Sequence, residues 1–243
     1  FKLRLGYPLF DFTRGNLTYT YDIANIKNVE DDASNSIKRD SGENIKSSIT
    51  ARIRYDSRDQ LFHPTGGSMH NISYEFAGLG GNVGFNKIIG ETGWYFPLVW
   101  QTVGVLHGKA GYAKELQGKT LPDYEKFYMM GIDALRGFER DDLSPRDADG
   151  NEIGGNKFVQ FNVKLRFPLV HQAGVYGVSF FDTGDIYAEE ENIELDNLRE
   201  SAGLGVRWLS PMGPVRLEYG WILDPKPTDA ASGSWEFSMA SAF

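Results

Sequence analysis

The sequence predicts an all-β chain, a transmembrane antiparallel β-barrel, on three observations. Apolar and polar residues alternate with period two along many short segments, long charged side chains sit mid-segment on the polar face, and the connections sort into a long set and a short set. Mean hydropathy is −0.38, and no apolar run approaches the roughly 18 residues a membrane helix needs. That leaves a barrel open, because a barrel strand needs only about 9–11 residues with alternate ones apolar. Aromatic residues make up 14% of the 243. That is enough for girdles at two membrane interfaces, although a large aromatic core would also use them.

The alternation is clearest in four segments. Along 159–167, Val159, Phe161, Val163, Leu165 and Phe167 share one face and Gln160, Asn162, Lys164 and Arg166 the other. Along 215–223, Val215, Leu217, Tyr219, Trp221 and Leu223 oppose Arg216, Glu218 and Gly220. Leu17, Tyr19, Tyr21 and Ile23 oppose Thr18, Thr20 and Asp22, and Ile49, Ala51, Ile53 and Tyr55 oppose Thr50, Arg52, Arg54 and Asp56. Such segments build a sheet with one apolar and one polar face. A soluble sandwich shows the same pattern, so alternation alone does not decide where the apolar face goes.

The connections decide it. Strands are predicted at 1–9, 15–27, 44–57, 66–79, 82–97, 99–115, 157–168, 174–187, 200–210, 213–224 and 234–243. The connections 28–43, 116–156, 188–199 and 225–233 are long or polar and fall on one side. The segments 10–14, 58–65, 169–173 and 211–212, with Leu98 alone, are shorter and fall on the other. A Gly80–Gly81 hairpin is the short exception on the long side. Outer-membrane barrels sort their loops this way, with long extracellular loops and short periplasmic turns, and a Greek-key sandwich has no reason to. Eleven strands is odd, whereas single-chain bacterial barrels are usually even-numbered. An open edge in lipid would leave backbone groups unpaired. The expectation is therefore a partial barrel, 1–243, whose closing strands precede Phe1. The absence of a leader-like segment before the first strand fits an excised or mature fragment.

Composition excludes several function classes. Net charge is −8, against a phosphate-tracking nucleic-acid binder. There is no cysteine, which removes disulfide and thiolate chemistry. The acidic runs 30–32 and 189–191 read as solvated loop surface.

Four ordered segments carry a resemblance. Leu135-Arg136-Gly137-Phe138 lies inside the long loop 116–156. Phe180-Phe181-Asp182-Thr183-Gly184-Asp185-Ile186-Tyr187 follows it. A tight Pro-x-Gly-Pro turn, Pro211 to Pro214, joins the strands ending at Ser210 and beginning at Gly213, ahead of a last strand ending in Phe243. Upstream, Asp59-Gln60-Leu61-Phe62-His63-Pro64-Thr65-Gly66-Gly67 looks like a periplasmic turn. Together they resemble the bacterial surface antigen family of outer-membrane insertases, across essentially the whole chain. The resemblance implies a sixteen-stranded barrel of which this chain supplies about eleven strands, preceded by periplasmic domains. It also implies that loop 116–156 is extracellular and folds into the lumen.

Physically, a guanidinium inside a loop can brace it to the wall by bidentate contact with a carboxylate. Gly137 would permit close backbone approach and Phe138 would anchor the tip. The resemblance makes Asp182 the partner of Arg136. A second acid expected on the preceding strand is missing, since its inward positions read Lys164 and Arg166; either Glu218 substitutes, or the brace is weaker. On the last strand Trp235, Phe237, Met239 and Phe243 share a face opposite Glu236, Ser238, Ala240 and Ala242. This is similar to the terminal signal of barrel proteins, physically a strand offered for β-augmentation, with Ser241 a departure. The bland alternative is a lipid-facing strand, and both readings can hold at once.

Other signals are weaker. The segment 147–152 lacks a calcium loop's glycine at position six and acid at twelve. His63, His70, His107 and His171 lack metal-ligand spacing. Ser68 and His70 have no nucleophile-elbow context. No enzyme activity, metal or cofactor is expected. The leading functional expectation is an outer-membrane assembly factor that folds and inserts β-barrel proteins. Its partners would be nascent barrel proteins, outer-membrane lipid and, through the periplasmic domains, assembly-machinery lipoproteins, with no nucleic acid. The fragment alone is expected to be inactive. A secretion transporter of the same superfamily and a passive porin are the alternatives.

Overall fold

The computed structural model describes residues 1–30, 33–147 and 149–239. Eleven strands form one antiparallel sheet in sequence order, each paired with its chain neighbours. They are β1 (Lys2–Phe10), β2 (Thr13–Ile26), β3 (Gly42–Asp56), β4 (Gly67–Ala77), β5 (Phe85–Pro97), β6 (Val103–Glu115), β7 (Lys157–Val170), β8 (Val175–Tyr187), β9 (Arg199–Ser210), β10 (Gly213–Ile222) and β11 (Gly233–Met239). Two short helices, α1 (Asn35–Arg39) and α2 (Arg140–Leu143), lie in the long connections. No helix among the described residues is long and apolar enough to cross a membrane.

Burial runs opposite to that of a soluble protein. On β7 the apolar Phe161, Val163 and Leu165 are each more than 40% exposed, whereas Asn162 and Arg166 are at 5% or less. Leu204 and Val206 of β9 and Leu217 of β10 are likewise exposed, with Asp182 and Glu218 fully buried. Exposed apolar side chains on nearly every strand make a continuous apolar outer surface, which only a hydrocarbon solvent satisfies. Aromatic clusters lie at both ends of that surface. Phe12, Tyr55, His70, Trp94 and Phe96 make successive ring contacts at the short-turn end, and Tyr219 stacks edge-on against Trp221 and Trp235 at the other. Val163→Arg, mid-strand on the lipid face, should lower folding stability in bilayers by about 2–4 kcal/mol. A heat-modifiable gel shift reads this out; stability equal to the parent would contradict a lipid-facing Val163.

The sheet wraps around the connection between β6 and β7, residues 116–156. Glu125 of that connection accepts from Lys46 of β3 and Lys87 of β5, while its Asp133 and Arg136 reach β10. In a flat sheet β3 and β10 would stand about 34 Å apart, seven strand spacings, so the sheet is strongly curved with the connection in its concavity. The hydrophobic core lies there too. It joins Leu121, Phe127, Met129, Leu135, Phe138 and Leu143 of the connection to Phe85, Phe158, Ile186 and Ile222 near the strand ends.

Two turns differ from the sequence expectation. The Gly80–Gly81 hairpin is a seven-residue connection, 78–84, because the chain leaves the ladder to press against β3. A Cβ at Gly81 would stand 2.1 Å from the Ile45 carbonyl oxygen, and the Val83 amide donates to that oxygen. The turn placed at Leu98 alone spans 98–102. Trp100 and Gln101 both take positive φ, 53° and 58°, and the Thr102 amide donates to Val99. This is type I′ geometry without its usual Asn or Gly, which is why residue preference did not reveal it.

The turn between β3 and β4 is built on Asp59. Its carboxylate accepts from the Gln60, Thr65 and Gly66 amides and from the Thr65 hydroxyl. Desolvation, the largest single effect, raises its pKa, but these donors together outweigh it and hold the group at about 2, below the ordinary 3.8. A depressed folded pKa means the carboxylate's contribution is present above 3.8 and lost as pH falls through about 2. Amide protection at Thr65 and Gly66 should hold from about pH 7 to 4 and fall below about 3, as hydrogen exchange would show.

Candidate functional site

The site is assembled by strand parity. On β8, Phe180, Asp182 and Gly184 point inward on alternate residues, and each meets the tip of the connection. The Arg136 guanidinium lies over the Phe180 ring, 3.4 Å from its centroid. Its Nε and Nη2 donate to the two oxygens of Asp182 at 2.7 and 2.6 Å, and its backbone amide donates to the same carboxylate at 3.2 Å. At Gly184 a Cβ would sit 3.1 Å from Leu135. The segment 180–184 is thus three inward-facing groups matched to Leu135 and Arg136.

β10 supplies the second wall. Arg136 Nη1 donates to Glu218 Oε2 at 2.5 Å, and Glu218 Oε1 accepts from Arg207 Nε at 2.7 Å. Two residues on, Gly220 faces Gly137 backbone to backbone. A Cβ on Gly220 would lie 2.7 Å from the Arg136 carbonyl carbon, and one on Gly137 2.8 Å from that of Gly220. Gly137 also has φ 93°. Phe138 is buried, with the Arg199 guanidinium 4.7 Å from its ring centroid.

Arg136, Asp182 and Glu218 are all fully buried. With Arg207 the cluster holds two cations and two carboxylates, so its net charge is zero. Fully buried charges persist when they are neutralised and their hydrogen bonds filled, and the Arg136 guanidinium spends donors on both carboxylates. The brace therefore has its second acid, and it is Glu218. The inward positions also hold polar groups that sequence reasoning left unassigned. Asn162 donates to Asp182 Oδ1 at 2.8 Å and to the Ala134 carbonyl. His107 bridges Asn162 and Glu91, at 2.9 Å to each. Their signal was parity alone: each falls on the polar face of its strand.

Other candidates behave differently. Trp235, Phe237 and Met239 share the exposed face of β11, while Phe243 lies outside the described residues. Ser68 and His70 are hydrogen-bonded, but the second ring nitrogen meets the Thr92 hydroxyl rather than a carboxylate. Asp147 turns its carboxylate onto the Asp149 and Asn151 amides of its own loop. No metal-ligand cluster occurs among the described residues.

A lipid-exposed apolar wall, a polar concavity and an arginine-braced segment inside it define the class: an outer-membrane β-barrel. The chain belongs to the Omp85 superfamily, whose domain matches residues 1–243. Outer membrane protein assembly factor BamA of Nitratidesulfovibrio vulgaris is 34% identical over 248 residues, covering 99% of this chain and 31% of that protein. BamA of Neisseria meningitidis is 29% identical, covering 76% and 27%. The mouse sorting and assembly machinery component 50 homolog is 26% identical, covering 75% and 40%. The chain thus spans about a third of the BamA relatives it matches. Among solved structures, BamA from Haemophilus ducreyi lacking POTRA domains 1–3 superposes with a TM-score of 0.77 at 22% identity, over 97% of this chain and 52% of that one. CdiB from Acinetobacter baumannii gives 0.58 at 12% identity, over 97% and 40%.

Proposed function

We propose that this chain is the C-terminal barrel portion of an outer-membrane protein assembly factor that folds and inserts β-barrel proteins. The carrying observation is the braced segment 135–138 in a chain 34% identical to an assembly factor over nearly its whole length. Fixing 116–156 inside the concavity gives the wall an internal strut, so the barrel stays rigid where clients are handled. The terminal strand with Trp235, Phe237 and Met239 on its exposed face fits pairing by β-augmentation. The reaction on this reading needs no catalytic side chain and no cofactor. Nascent barrel proteins and outer-membrane lipid are its direct partners, and accessory lipoproteins would bind periplasmic domains.

The test is depletion of the full-length protein in its host, scored by the heat-modifiable folded fraction of resident barrel proteins. Unfolded barrels should accumulate within a few generations. Normal assembly together with the loss of a steady aqueous conductance would favour a passive pore instead.

A further inference from the structure

Between the tip of the lumen segment and the β3–β4 turn lies a chamber of about 470 Å³ that the brace does not use. Its lining holds six cations, Arg58, Lys109, Lys164, Arg166, Arg207 and Arg216, against the carboxylates of Glu91 and Asp133. Three of the cations are matched: Arg58 with Asp56, Arg207 with Glu218 and Arg216 with Asp133. Glu91 is bonded to His107. Lys109, Lys164 and Arg166 have no salt bridge among the described residues. Arg166 is 95% buried: its exposure is 5%. Its Nη2 donates to the Pro64 carbonyl, but its Nε has no partner, and neither does the buried Nη2 of Arg207.

We propose that this chamber is a binding site for a small soluble oxyanion of the phosphate class, held by Lys164 and Arg166 with the free N–H of Arg207. Buried N–H groups left without acceptors are unfavourable, and so is an excess of cations lining one cavity. Water can meet the first need but not the second. A tetrahedral oxyanion meets both, and guanidinium groups match its geometry. The strand wall separates the chamber from the acyl chains, so the anion comes from solution rather than from a lipid headgroup. His63, also in the lining, packs its ring at a tilt against Tyr176, 4.1 Å between centroids. Burial, then Arg166 and Arg207, push its pKa down to about 4.

The test uses the full-length protein in zwitterionic nanodiscs, with inorganic phosphate titrated at constant ionic strength against chloride. Calorimetry should show saturable one-to-one binding. Arg166→Gln and Lys164→Gln should each weaken it about tenfold, the effect of losing one charge-assisted contact. Arg52→Gln, on the same polar face but outside the chamber, should leave it unchanged. A measurement on the unmodified protein covers the case of a variant that fails to fold. Phosphate should slow acylation of Lys164 several-fold without changing that of the exposed Lys2. Absence of saturation, equal weakening by all three variants, or equal protection of both lysines would overturn the proposal. Protection in phosphatidic acid nanodiscs without added phosphate would overturn the soluble source.

Discussion

Arg136→Asp in the full-length protein should release the lumen segment and, on the proposed function, abolish most barrel-protein assembly. The substitution changes the buried cluster from two cations and two carboxylates to one cation, Arg207, and three carboxylates. Asp182→Arg errs the other way, with three cations facing Glu218 alone. Leaving buried charge uncompensated typically removes about 3–5 kcal/mol, enough to undo the docking of 135–138. The double variant returns the cluster to neutrality, so it should recover a substantial part of assembly. Heat-modifiable folding of the protein and of its clients measures both. Singles that assemble clients like the parent would make the segment a passive loop and strengthen the porin reading.

Gly137→Ala and Gly220→Ala should produce a similar loss with no change in charge. Each added methyl would lie within 2.8 Å of the facing backbone, that of β10 for Gly137 and that of the lumen segment for Gly220. Backbone cannot yield as a flexible side-chain end can, so the two segments must separate. At Gly137 the positive φ adds about 1–3 kcal/mol of strain for any residue with a Cβ. Separation pulls Arg136 off Asp182 and Glu218, so segment 116–156 should become sensitive to added protease while the strands stay protected. Gly150→Ala, also at positive φ but with open space around it, is the control. It carries the backbone strain without the collision and should keep the segment docked. Equal protease resistance in all three variants would show that the close approach is unimportant.

The strands and faces were legible in the sequence because side chains in a strand alternate strictly, and one face meets hydrocarbon while the other meets polar groups. All eleven strands fall within a few residues of the segments that alternation picked out. Long and short connections were legible for the same reason, as the gaps between alternating runs. Periodicity marked Asp182 and Glu218 only as inward-facing residues; the family resemblance paired Arg136 with Asp182 and left Glu218 as one of two alternatives for the second acid. Only the tertiary structure showed that Arg136 reaches Glu218 as well as Asp182, and that Gly137 lies against Gly220. Arg136 and Glu218 are 82 residues apart in sequence, and no local pattern reports how far a sheet curls. The lumen-facing cations Lys164 and Arg166, without a carboxylate partner among the described residues, read as ordinary polar-face residues until curvature set them beside Arg207 and the β3–β4 turn. Strand periodicity is a short-range property of the backbone, whereas the closeness of walls across a curved sheet depends on every strand between them.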